Sequence, residues 1–172
     1  MKNSVYARLI AAFFLTIFGT SVLAESRIAV LVFELKDLTL APGIPQELER
    51  TASIKPQLEA ELTTLGNDIV ETDFASQQKA NAGTGYLFDH HDVAAKLGKQ
   101  FDADYILVGR LHKPSFLFAY IMGHLIRVDD GKLIADYTFE AKGPNQFQTN
   151  KTVKTLAKAI DKDLKRLSSL SD

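Results

Sequence analysis

The run Arg27-Ile28-Ala29-Val30-Leu31-Val32-Phe33-Glu34 constrains the fold more than any other stretch of the chain. Side chains of a strand alternate between the two faces of a sheet, so a strand that is apolar at nearly every position needs cover on both. Such a strand sits inside a sheet with helices packed on either side, and the rest of the sequence supplies those helices.

Residues 35–45 carry Pro42, Gly43 and Pro45 and read as a loop. Over 46–65, Leu48, Ile54, Leu58, Leu62 and Leu65 share a helical face that Pro56 interrupts. Either the helix kinks there, or Ser53 caps a second helix with Pro56 in its first turn. Gly66 suits a helix C-cap, and 68–73 alternates as a short strand. A helical segment around Gln77-Gln78-Lys79-Ala80 is broken by Asn81-Ala82-Gly83-Thr84-Gly85. A further helix runs from about His90 to Gln100, with Val93, Ala94, Leu97 and Phe101 turned inward.

Residues 104–112 form the next strand, and after Lys113-Pro114-Ser115 a long strand is expected over 116–128. Asp129-Asp130-Gly131-Lys132 has hairpin chemistry, and 133–141 returns with Leu133, Ala135, Tyr137, Phe139 and Ala141 pointing one way. Thr149 or Asn150 caps a last helix with the stripe Val153, Leu156, Ala157, Ile160, Leu164 and Leu167. The order predicts an α/β (α+β-like) fold: a single mixed β-sheet of about five strands with a C-terminal hairpin, packed by three to four helices.

The chain opens with Lys2 and Arg8, continues with an apolar stretch over 9–23, and carries Val22-Leu23-Ala24 where a signal peptidase would read small residues. This order predicts a signal peptide over 1–24 and a single domain over 25–172, located in the periplasm. The apolar stretch is short against the roughly 20 residues that span a bilayer. Without Lys2 and Arg8, 18 basic residues face 21 acidic ones, so no nucleic-acid partner is expected. There is no cysteine. Disulfides and an acylated cysteine are thereby excluded, and no stable membrane anchor is expected after signal cleavage.

The run over 28–33, the helix end Leu65-Gly66, the strand over 68–73, the segment from Lys96 to Gly109 and the turn Asp129-Asp130-Gly131-Lys132 together carry a resemblance. The chain resembles the envelope α/β domain of the TolB amino-terminal region, the curli-secretion protein CsgG and the penicillin-binding-protein activator LpoB. It is also similar to a periplasmic bacterial family of unknown function. The resemblance covers nearly all of the expected mature chain and implies a fold used for docking and assembly. The curli and activator relatives are lipoproteins, whereas this chain lacks the cysteine, and no catalytic residue is carried over.

The residues themselves offer little chemistry. Asp89-His90-His91-Asp92 is the densest group of metal-ligand types, but adjacent histidines diverge, and a polar loop capping a helix accounts for it. A hairpin near Pro114 keeps His112 away from His124. Gly83-Thr84-Gly85 lacks the spacing of a phosphate loop, and Ser115 lacks a nucleophile elbow. No catalytic residue, metal site or cofactor is expected, and the chain is read as a non-enzyme.

The most informative stretch is the strand after Pro114. Phe116, Phe118, Tyr120, Met122 and His124 alternate onto one face and form the candidate protein interface. A central strand covered on both faces explains the same pattern. The expected function is that of a periplasmic accessory or adaptor protein binding other cell-envelope proteins, and a homodimer is compatible with it. The alternative is a small-molecule binding protein with a pocket at the carboxyl ends of the parallel strands, near Glu34 to Asp37 and Glu71 to Phe74.

Overall fold

The structure is a computed structural model that describes residues 26–143 and 145–170. The signal peptide expected over 1–24 lies outside the described residues. Six strands and six helices are found within them: β1 (Arg27–Val30), β2 (Glu34–Asp37), α1 (Pro45–Ala52), α2 (Ile54–Thr64), β3 (Asp68–Val70), α3 (Phe74–Ala80), α4 (Tyr86–Asp89), α5 (His91–Gln100), β4 (Tyr105–Lys113), β5 (Tyr120–Arg127), β6 (Leu133–Glu140) and α6 (Gln146–Ser168).

The expected first strand is present but broken. β1 and β2 both pair in parallel with β4, Val30 opposite Leu107 and Glu34 opposite Arg110, so they are two halves of one strand. Phe33 lies in the break, and its ring crosses Gly109, where a Cβ would sit 2.2 Å from a ring carbon. Only glycine leaves room for the ring there. The sheet runs β3-β1-β4-β5-β6, with β2 also on β4; β1, β2, β3 and β4 are parallel and the β4-β5-β6 meander is antiparallel.

Both faces are covered over β1, as the apolar first strand required. On one, Ile54, Leu58 and Leu62 of α2 and Val153, Leu156 and Ile160 of α6 pack on Leu107, Ile121 and Leu125. On the other, Leu97 and Ala94 of α5 and Phe88 of α4 pack on Ile106, Val108 and Ile126. Of the two readings of Pro56, the helix divides: Ser53 separates α1 from α2, and Pro56 falls in the first turn of α2, although the Ser53 hydroxyl donates to the Arg50 carbonyl instead of capping. Gly66, at φ 90°, ends α2.

Three local expectations are corrected. The long strand starts at Tyr120 and not at Phe116, because Ser115 Oγ accepts the amides of Leu117 and Phe118 and curls 115–118 into a turn. In β6, Ile126 pairs with Leu133 but Leu125 with Ala135, so Ile134 is a bulge. The extra residue sends Leu133 to the α5 face while Ala135, Tyr137 and Phe139 stay with α6. The last helix begins four residues early, with Asn145 Oδ1 accepting the Phe147 amide, since Asn is as good a cap as Thr and stands first.

Candidate functional site

On the α5 side of the sheet, the register lines up three rows of side chains across the strands. One row runs Val108, His124, Asp136; the next Glu34, Arg110, Met122, Thr138; the third Lys36, His112, Tyr120, Glu140. Helix α5 covers the sheet only as far as the first row. Beyond it, Lys36, Thr138 and Glu140 are exposed and Met122, Tyr120 and His112 half-buried. Arg110 is buried, so among the described residues the open part of this sheet face runs from Met122 and Thr138 to the row of Lys36 and Glu140, and it carries both charge signs.

The short helix α4 forms the border. Its Phe88 ring is held between the Arg110 guanidinium, 3.6 Å from the ring centroid, and the His124 ring, 3.8 Å away. Glu34 anchors the preceding loop by accepting the Gly85 amide and the Asn81 side chain. Gly85 sits at φ 83°, and a Cβ there would come within 3.2 Å of the Arg110 guanidinium. Arg110 also has Asp89 at 3.9 Å. Three buried polar atoms beside this row, Arg110 Nε, His112 Nδ1 and Asn81 Oδ1, have no hydrogen-bond partner.

The histidines separate as expected but not wholly. His90 stacks on Tyr86 and turns away from His91. His91 instead meets His124, Nε2 to Nδ1 at 3.0 Å, and His124 Nδ1 also lies 3.0 Å from the Phe88 carbonyl oxygen. This contact crosses from α5 to β5, and only the strand register reveals it. Burial, above all, holds His124 below the usual histidine range, with the neighbouring His91 and Arg110 adding to it against the Phe88 carbonyl and Asp136. His112 is lowered by burial and by the charges of Lys36 and Arg110. Among the described residues no group of three or more His, Asp or Glu is placed to hold a metal ion.

The five predicted interface residues divide at the start of β5. Tyr120, Met122 and His124 lie on the α5 side of the sheet, one in each row, but only Tyr120 and Met122 reach its open part, since His124 lies against Phe88 and His91 in the covered row. Phe116 and Phe118, 57% and 47% exposed, belong to the loop at the end of the sheet. Sequence reasoning missed Lys36, Arg110, His112 and Thr138, whose place depends on pairing. It also missed Leu38 and Leu40, which were readable as apolar residues in an expected loop.

That end of the sheet is organised by a buried ion cluster. Glu47 of α1 accepts from Lys113 Nζ at 2.8 Å and from Arg50 at 3.2 Å. Arg50 donates further to Thr149 Oγ1 and to the Ala141 carbonyl, joining α1 to α6 and to the end of β6. All three charged residues are at most 3% exposed. A cavity of about 630 Å³ lies at the opposite, amino end of the parallel strands, lined by Lys99, Asp102, Asp104 and Arg127. No helix of the described residues is long and apolar enough to cross a membrane.

The model of the DUF3280 family, described as a protein of unknown function (DUF2380), matches residues 26–160. The chain belongs to that family. Comparison with curated proteins gives no match. Among solved structures, this DUF3280 chain is similar to the hypothetical protein CT253 from Chlamydia trachomatis, with TM-score 0.56 and 9% identity over 82% of this chain and 98% of that one. It is also similar to LpoB of E. coli, with TM-score 0.50 and 14% identity over 67% of this chain and 56% of LpoB. At these identities the likeness is one of fold.

Proposed function

We propose that the protein is a non-catalytic accessory protein of the periplasm that binds another envelope protein through the open part of this sheet face. The observation that carries this reading is the open part of the last two rows, Met122-Thr138 in one and Lys36-His112-Tyr120-Glu140 in the other. A sheet face left open in a domain that elsewhere covers its strands on both sides has the composition of an interface: a half-buried Tyr and Met surrounded by exposed charges of both signs. The expected signal peptide and the resemblance to envelope docking domains support the compartment. The fold shared with LpoB supports an accessory role.

The test is affinity purification from cross-linked envelopes with Thr138→Arg/Glu140→Lys, which changes two exposed side chains of the face and leaves the core alone. The reading predicts that a specific partner recovered with the wild-type protein is lost. Recovery of the same set of proteins with both chains refutes it.

A further inference from the structure

The exposed apolar side chains gather at one end of the molecule. β2 and β4 finish side by side, Asp37 opposite Lys113, and the Leu38 amide donates to the Lys113 carbonyl at 2.9 Å. The loops that follow leave the sheet together. Leu38, Leu40, Ile44, Phe116, Leu117 and Phe118 are exposed on them, Leu40 by 97% and Leu117 by 74%. Residues 38–46 and 114–119 contain no charged side chain, in a chain of which 24% is charged.

These loops are held in shape from within. The Asp37 carboxylate accepts the amides of Thr39 and Gly43 at 3.0 and 3.2 Å, and Ser115 Oγ accepts those of Leu117 and Phe118. Polar groups are thus turned inward and apolar ones outward. Behind the tip, Lys36 and Lys142 are exposed at the roots of segments that leave this end of the sheet. The acids at the same end are engaged, Asp37 with the loop amides and Glu47 with Arg50 and Lys113; Glu49 and Glu140 are exposed on the flanks.

We infer that this tip inserts reversibly into a lipid surface, burying Leu40 and 116–118 at the acyl boundary with Lys36 and Lys142 at anionic headgroups. A protruding, uncharged apolar tip with cations behind it matches the layering of a bilayer, apolar within and anionic at the surface. Protein hot spots draw instead on Trp, Tyr and Arg within a polar rim, and the two loops contain none of the three. Apart from Lys36, which also borders the open sheet face, the inference uses residues outside that face, and it does not depend on a protein partner.

The chain has no tryptophan, so Leu40→Trp would place a single indole at the tip. Vesicles of phosphatidylethanolamine and phosphatidylglycerol are expected to shift its emission to the blue, and brominated acyl chains to quench it. Leu117→Ser/Phe118→Ser, both exposed, is expected to lower partitioning of the otherwise unaltered protein about tenfold or more, with circular dichroism unchanged. Leu170→Ser, at the far end of α6, should leave it as it is. Emission that stays as in buffer, without flotation on the vesicles, overturns the inference. So does a blue shift that grows with protein concentration in the absence of lipid, which would make the tip a self-association surface.

Discussion

Replacing Glu47 by Leu tests whether the ion cluster beneath the tip holds that end of the fold together. Glu47 is completely buried and is the carboxylate that both Lys113 and Arg50 contact. Its removal leaves two buried cations with unequal alternatives. Arg50 keeps Thr149 Oγ1 at 2.6 Å and the Ala141 carbonyl at 3.1 Å, whereas Lys113 keeps only a 5.6 Å contact with the Phe116 ring and the more distant charge of Asp37. Breaking a buried pair from one side costs about 3–5 kcal/mol. Against a typical stability of about 5–15 kcal/mol, that is a large share. Urea unfolding followed by circular dichroism should show the loss as a lower midpoint at an unchanged slope. The uneven partners make a second prediction: adding Lys113→Met should recover about 2 kcal/mol or more, because the cation left behind is the one with neutral acceptors. A loss below about 1 kcal/mol for Glu47→Leu, the value typical of a solvated pair, refutes the reasoning.

Three further outcomes are expected. Gly109→Ala should cost about 1–3 kcal/mol by pushing the new Cβ into the Phe33 ring, and Phe33→Leu in the same chain should recover part of it by thermal melting. Because burial lowers the pKa values of both His112 and His124, the folded state binds fewer protons there than the unfolded chain. Stability from these groups is complete above the unfolded histidine value of about 6.5 and falls as pH drops through the lower folded values, so urea midpoints should decline on acidification, and less steeply in His124→Asn. Asp73→Ala removes the acceptor for the amides of Ala75 and Ser76 at the start of α3 and should cost about 1 kcal/mol, again read from urea midpoints.

The layered fold was legible because its signals are local and repeated: the apolar run over 28–33, the helical stripes over 54–65 and 153–164, and the hairpin turn at Gly131. What sequence could not place were features set by a single contact. Phe33 breaks the first strand because its ring needs the space over Gly109, 76 positions away. The bulge at Ile134 reverses Leu133 without any change in the alternation of residue types. The candidate surface follows the same division. Tyr120, Met122 and His124 were found by their period of two, but the same period extended one strand too far and absorbed Phe116 and Phe118, which the Ser115 turn places in the loop. Arg110 and His112 lay in a segment read simply as the next strand, and only their pairing with Met122 and Tyr120 places them in the last two rows.

A face for a protein and a tip for lipid at one end of this domain call for different partners, and paired photo-crosslinking in cells tests that division most directly. One chain would carry the photoreactive residue at Met122, a second at Leu40, and a third at Lys158, which is exposed on α6. A discrete protein adduct from Met122, lipid adducts from Leu40 and neither from Lys158 is the predicted pattern. A protein adduct from Leu40 together with none from Met122 would contradict it and move the partner site to the tip.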